Sequence, residues 1–480
     1  MQAAVIVLYL IVLGVLGIYG FHRSQLLMLY FKHRGEVQEL AKQFDHLPLL
    51  TIQLPMFNEM YVAERLLEGI ANLDYPKEKL EIQVLDDSTD ETVAIAQKKV
   101  AELVERGFDA VHIHRVDRTG FKAGALEAGL KVAKGEFVMV FDADFVPNPD
   151  VVLKLIHHFT NPEVGMVQAR WGHLNRDYST LTRAQSMMLD GHFVIEHIAR
   201  NRSGRFFNFN GTAGVWRKST IIDAGGWQHD TVTEDMDLSF RAQLRGWKFV
   251  YVPDALAPAE LPCEMNSFKT QQFRWAKGSA QTTRKLLGTV MRADIPWKVK
   301  LELFFHLTDN FAYVFLVVLA ALQLPNMLLR QHMDNPSLLL LDVPLFAATC
   351  GSIIVFYLVT HRALYGDFWS AVRRLPLMMA LAIGLSINNA RAVLEGLFGK
   401  NVDFVRTPKH GVAGDRGAWK KKKYRARWSI HSLVEMGMGV YFVITIGLAM
   451  FTGSWISIPF LALFMIGYLY VGSLSIYQAR

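Results

Sequence analysis

Four clusters along the chain could act on a charged substrate. Asp86-Asp87-Ser88 and Asp142-Ala143-Asp144 each close a short apolar run, Thr233-Glu234-Asp235 is followed by Asp237, and Gln271-Gln272-Phe273-Arg274-Trp275 precedes a long apolar stretch. Acid-x-acid sets two carboxylates on one side of extended backbone, because side-chain direction repeats every two residues. Asp142 and Asp144 could therefore share a hard divalent cation, Mg2+ or Mn2+, that also takes diphosphate oxygens. Taken alone, that pair fits a solvated, aspartate-rich turn equally well. The chain has no GxGxxG after its first strand and no GxxxxGK[ST], so dinucleotide and P-loop chemistry find little support.

These clusters need elements to hold them. From His33 to about Lys300, short β-branched runs alternate with amphipathic stretches. The pattern predicts strands at Leu50–Leu54 (closed by Pro55), Ile82–Leu85, Val111–His114 and Phe137–Phe141. Helices are predicted at Glu59–Asn72, Thr89–Arg106 and Ala123–Ala133. Such alternation implies right-handed βαβ units around a largely parallel sheet. Ligands of these sheets bind beyond the carboxyl ends of the strands, where Asp86-Asp87 and Asp142-x-Asp144 stand.

The ends of the chain have a different character. Hydrophobic residues make up 51% of the 480 and charged residues only 20%, and the apolar excess lies outside the middle. Ala3–Gly20 is long enough to span a bilayer. With no basic residue before it and no small-x-small site after it, a retained anchor is expected rather than a cleaved signal. Further spans are expected at about Phe304–Leu324, Leu338–Thr360, Leu433–Phe451 and Ile456–Val471. Leu375–Leu397 is broken by Asn388, Asn389, Arg391 and Glu395, with basic residues on both flanks. Five spans, with that segment interfacial, put the amino terminus outside and the middle of the chain in the cytoplasm. The basic run Lys420–Arg427 serves as a topology signal. Cys263 and Cys350 are too few and too far apart for a disulfide framework or a zinc site. His173 and His192 could be ligands, though packing or hydrogen bonding is the simpler role.

The clusters occur in the order found in family-2 processive glycosyltransferases, the cellulose and hyaluronan synthase group. The chain resembles most closely the cellulose-synthase-like A and C proteins of plants and their bacterial relatives. QLPMFNE (53–59), QVLDDSTDET (83–92), GFKAGAL (120–126), FDADFVP (141–147), FNGTAGVWR (209–217), TEDMDLSFRAQLRGWKF (233–249) and QQFRW (271–275) carry the likeness. The resemblance implies an α/β fold: a GT-A type nucleotide-sugar-binding cytosolic domain (a Rossmann-like mixed sheet) plus an α-helical transmembrane region. The expected boundaries are 1–33, 34–300 and 301–480.

It also implies roles for particular residues. Asp86, with Asp87 beside it, would meet the donor's nucleoside. Lys122 would support the diphosphate, and Asp142 and Asp144 would hold the metal. Asp235 would be the general base, with Glu234 beside it. Gln271 and Arg274 would hold the donor diphosphate, and Trp275 the acceptor end. Asn210-Gly211-Thr212 would floor the acceptor site. Phe404, Thr407 and Lys409 match a gating loop within 400–428, with Arg406 where that pattern has Val. Asp235 could alternatively satisfy backbone N–H groups at a helix start, and Trp275 could anchor at the headgroups.

The implied chemistry is a single displacement with inversion. A metal and cationic side chains stabilise the leaving diphosphate, and a carboxylate deprotonates the acceptor hydroxyl. The expected partners are UDP-glucose or GDP-mannose, a growing polysaccharide and the lipid bilayer, with no nucleic acid. The product is expected to be a β-1,4 glucan or mannan, glucan slightly ahead, made at a plasma or inner membrane. Asp309, Asn310, Phe311 and Tyr313 could line an exit channel, or instead bond neighbouring helices. Two alternatives remain: sugar transfer to a lipid acceptor, and a transporter with a cytosolic regulatory domain.

Overall fold

A computed structural model describes residues 2–36, 40, 42–330, 344–399, 405–412, 419, 422–424 and 429–479. Its centre is a seven-stranded sheet ordered β3-β2-β1-β4-β6-β5-β7, with β1 Leu50–Met56, β2 Leu80–Asp86, β3 Asp109–His114, β4 Phe137–Val140, β5 Val164–His173, β6 Gly214–Arg217 and β7 Lys248–Ala259. Strands β1 to β4 pair in parallel, as the alternation predicts, and β5 pairs in parallel with β7. Between them β6 runs antiparallel to both β4 and β5. The sheet is therefore mixed rather than purely parallel.

The local register corrects several predicted ends. β1 continues through Pro55 to Met56, pairing there with β2. Proline is tolerated because β4 pairs with β1 only as far as Gln53, so no ladder bond is lost on that side. The helix predicted from Glu59 begins at Ala63, after Asn58 has taken a left-handed backbone, φ 55°. Thr51, Gln53, Glu81 and Gln83 alternate with the apolar residues of β1 and β2 and are all buried. Several of their polar atoms pair with one another: Thr51 Oγ1 donates to Glu81 at 2.5 Å, and Gln53 Nε2 to Gln83 at 3.0 Å. Buried polar groups in a central sheet are tolerated when paired this way.

Five helices are long and apolar enough to cross a bilayer: Ala4–His33, Trp297–Arg330, Pro344–Tyr365, His431–Phe451 and Trp455–Gln478. They correspond to the five expected spans, most of them longer than read. Residues 338–343, expected to open the third span, lie outside the described residues. The Leu375–Leu397 segment is a pair of helices, Phe368–Gly384 and Ser386–Phe398, meeting at a 43° bend. This pair packs closely on the last helix. A Cβ on Gly384 would stand 2.3 Å from the Gly467 carbonyl oxygen, a small-residue contact of the kind that brings membrane helices together. The first and second spans are joined near Glu302, which is buried and bonded to His22 at 3.0 Å.

Candidate active site

Beyond the carboxyl ends of β1, β2 and β4 lies a cavity of about 150 Å³. Asp142 and Asp144 both line it, from a turn just past β4 rather than from extended strand. The turn is held where the Asp142 amide donates to Thr212 Oγ1 at 2.9 Å. Each aspartate carries a lysine: Lys122 Nζ lies 2.6 Å from Asp142, and Lys409 bonds Asp144. Burial pushes the Asp142 carboxyl up, but Lys122 and Lys409 outweigh it and hold the group below the usual carboxylate range. The donor set is hard and all-oxygen, and two ammonium groups already sit on it. The pair therefore fits Mg2+ or Mn2+.

Across the cavity, Glu234 and Asp235 form the first turn of the helix Glu234–Leu244. A helix start favours carboxylates, yet burial dominates here, and Glu234 beside Asp235 adds repulsion. Asp235 is pushed up to about 7, and burial raises Glu234 too. Arg274 faces both of them as well as Asp142. Gly211 closes the remaining side. Its φ is +80°, and a Cβ there would stand 2.9 Å from Asp235 Oδ2, so the backbone approaches the carboxylate as only glycine allows. Among the described residues, the non-glycines with positive φ are Asn58, Phe121 and Ala213. Each adjoins a cavity-lining residue or its loop, which places backbone strain at the site.

The structure brings together Asp87, Lys122, Asp142, Asp144, Asn210, Gly211, Glu234, Asp235, Gln271, Arg274, Trp275, Thr407 and Lys409 around this cavity. Two expected residues do not face it. Asp86 is fully buried, accepting from Ser88 N at 2.8 Å and bonded to His112 at 2.9 Å. Those bonds outweigh burial and hold its carboxyl low. With His112 and His114 it forms a group whose ligand atoms lie within 4.8 Å of one another. Thr212 is likewise buried, behind Asp142. Phe404 lies outside the described residues.

A second cavity, about 440 Å³, shares Asn210, Asp235, Gln271 and Trp275 with the first and reaches between the apolar helices. Asp309 and Asn310 line it, on a tight turn that interrupts the second span. Asp309 also reaches Arg23 of the first span at 3.7 Å. Tyr313 lines the cavity too.

The chain is 32% identical over 459 residues to glucomannan 4-beta-mannosyltransferase 1 of Oryza sativa subsp. japonica, covering 89% of this chain and 83% of that protein. Residues 48–278 match the family described as Glycosyltransferase like family 2. The chain belongs to glycosyltransferase family 2. Glucomannan 4-beta-mannosyltransferase 7 of Arabidopsis thaliana is 33% identical, over 82% of this chain and 70% of that protein. Glucomannan 4-beta-mannosyltransferase 2 of the same plant reaches 43% identity over 52% of this chain and 47% of that protein. Among solved structures, the mannosyltransferase PcManGT from Pyrobaculum calidifontis, in complex with GDP-Man and Mn2+, matches with a TM-score of 0.54 at 20% identity. That match covers 76% of this chain and 99% of that one. It bears out the GT-A-like mixed sheet.

Several residues that spacing alone did not single out share this site. Phe57, Glu59, Arg118 and Glu260 also line the first cavity. The Arg118 guanidinium carbon lies over Phe57, 3.3 Å from the ring centroid. Glu59 receives a forked bond from Arg406 at 3.1 and 3.2 Å. Glu260 accepts from the His410 and Val412 amides, each at 3.1 Å. The segment 405–412 is thus tied down across the cavity mouth. The Thr407 hydroxyl is buried there without a hydrogen-bond partner among the described residues.

Proposed function

We propose that this glycosyltransferase is an inverting, processive β-mannan synthase that takes GDP-mannose and passes its product through the second cavity. The observation that carries the reading is one carboxylate, Asp235, standing where the two cavities meet. Two relatives named glucomannan 4-beta-mannosyltransferases, alignable over most of their length, tip the expected glucan-or-mannan choice toward mannan. PcManGT, which binds GDP-Man and Mn2+, points the same way.

Asp142 and Asp144 would hold the divalent cation, and that cation would neutralise the diphosphate as it leaves. Lys122 and Arg274 add fixed positive charge on the same side. Thr407 and Lys409 close over the donor from the loop. Asp235 accepts the proton of the acceptor hydroxyl as its oxygen bonds to the anomeric carbon and the bond to the diphosphate breaks. Attack opposite the leaving group converts an α-linked donor to a β-linked product. Trp275, lining both cavities, stacks on the acceptor ring and sets its distance to the anomeric carbon. Asp309, Asn310 and Tyr313 give the departing chain polar and aromatic walls. The bent pair Phe368–Phe398 lies at the cytoplasmic interface, with the catalytic domain in the cytoplasm and the amino terminus outside.

Detergent-purified protein offered radiolabelled GDP-mannose or UDP-glucose with Mn2+ or Mg2+ tests the reading. High-molecular-weight product from GDP-mannose, cut by a β-1,4-mannanase, is expected. Label found only in a lipid extract would replace it with the lipid-acceptor alternative, and polymer from UDP-glucose alone would make the product a glucan.

A further inference from the structure

The wall between the two cavities carries a hydrogen-bonded chain that the transfer step described above leaves unused. His192–Glu196 is a π-turn inserted between the helices Thr180–Gly191 and His197–Arg202. Such insertions cost helical hydrogen-bond geometry and recur at functional sites. Here the turn aims two side chains, His192 and Glu196. Glu196 Oε2 lies 3.0 Å from His192 Nδ1 and accepts from Arg200 at 3.0 Å. Asn210 Nδ2 lies 2.9 Å from His192 Nε2, and Asn210 Oδ1 lies 2.6 Å from His197 Nε2.

The direction of these bonds follows from the charge at one end. Burial pushes Glu196 up, but Arg200 and His192 outweigh it and hold the carboxylate well below its ordinary range. An ionised carboxylate only accepts, so it takes the His192 Nδ1–H, and Asn210 Nδ2, which only donates, fixes Nε2 as the acceptor. Asn210 Oδ1, which only accepts, takes the Nε2–H of His197. The Asn210 backbone N–H is also occupied, by Gln168 Oε1 at 3.1 Å. One amide hydrogen and one carbonyl lone pair remain for the cavities that Asn210 lines on both sides. A donor and an acceptor set side by side suit the vicinal hydroxyls of a pyranose.

We propose that His192, oriented by Glu196, is a positioning residue that locks the Asn210 amide to receive vicinal hydroxyls of the acceptor sugar beside Asp235. The inference rests on the mannan-synthase reading and adds how the acceptor is gripped. Next to it, Gly211 brings the same loop against the Asp235 carboxylate. The orientation of the acceptor and the placement of the base therefore come from one short segment.

The test measures transfer from GDP-mannose to a β-1,4-mannan oligosaccharide, with GDP affinity read separately by calorimetry. His192→Ala frees the amide, and the acceptor KM should rise about tenfold, the effect of losing one well-made hydrogen bond. GDP affinity should stay within about twofold. His192→Gln supplies an amide oxygen as acceptor and should recover most of the lost KM, which a purely structural role would not produce. An unchanged acceptor KM in His192→Ala, or a parallel fall in GDP affinity, overturns the proposal while the mannan reading stands. Wild-type protein that transfers nothing from GDP-mannose overturns both. Should His192→Ala fail to fold, Asn210→Ser carries the same expectation for acceptor KM.

Discussion

Asp142 and Asp144 stand on a turn after β4, Glu234 and Asp235 on the first turn of a helix, and both pairs face one cavity. Each side offers two carboxylates a residue or two apart, yet their surroundings push them in opposite directions. Lys122 and Lys409 sit on the strand-end pair, and Asp142 is held low. On the helix pair, Lys122 comes no closer to Glu234 than 4.0 Å, and burial together with mutual repulsion drives Asp235 up to about 7. The comparison teaches that residue type alone does not choose between holding charge and moving a proton. The nearest cations choose.

The sharpest way to break the contrast is to take the proton acceptor away. Asp235→Asn should lower transfer from GDP-mannose by about 10³-fold, within the range ascribed to general-base catalysis, while GDP binding by calorimetry stays near wild type. The same change should raise Tm at pH 8. Folding raises the pKa of Asp235, so ionising it costs stability above its unfolded value and costs most above about pH 7. At pH 4 the two proteins should melt together. Equal transfer by wild type and variant would remove Asp235 from the chemistry.

Altering the other pair should give a different signature. Asp142→Asn should weaken Mn2+-dependent GDP binding by about 100-fold, at the upper end of what even outer-shell partners of a metal contribute. Transfer would fall with it, and no new pH dependence should appear. If GDP binding proved independent of both Mn2+ and Asp142, the strand-end pair would be only a lysine-neutralised turn.

A third intervention moves the midpoint rather than the maximum. The pH profile of kcat/KM reports the free enzyme's essential groups, so transfer should climb through about pH 7 as Asp235 loses its proton. Glu234→Gln removes the neighbouring charge that helps raise it, and the midpoint should then move to lower pH, read from the same initial-rate series. A midpoint that stays in place would assign the upward shift to burial alone.

Much of this contrast is legible in the sequence because it rests on short-range order. Asp-x-Asp after an apolar run and Thr-Glu-Asp before an amphipathic one each mark a junction between elements. Only long-range geometry separates Asp86 from Asp87. Asp86 ends β2 and Asp87 follows it, and the β2–β3 register sets Asp86 against His114 and next to His112, turning it away from the cavity. Strand β6 escapes notice because Gly214–Arg217 has only four residues, and its antiparallel pairing depends on β4 and β5, which lie well before it in the chain. Thr212 reads as floor of the acceptor site and turns out to hold the Asp142 amide from behind. The Asn210 clamp depends on a π-turn, which no apolar periodicity announces.

Arg406 is the place where the chain departs from the gating-loop pattern it otherwise resembles, and the structure supplies a partner for the departure. Its guanidinium forks onto Glu59 and lies 4.3 Å from the centre of the Tyr424 ring. Glu59 is buried, and burial raises its pKa despite Lys409 and Arg406. Arg406 therefore keeps a buried carboxylate partnered while it pins the loop over the strand-end pair. Arg406→Val restores the family's residue but strands Glu59. The apparent KM for GDP-mannose should rise about three- to tenfold, with kcat at saturating donor changed less than about twofold, because the charges around Asp235 are untouched. The double variant Arg406→Val with Glu59→Gln removes the stranded charge and should recover part of the loss. Recovery would place the effect in loop closure over the metal-side pair, whereas a fall in kcat would tie Arg406 to the base side instead.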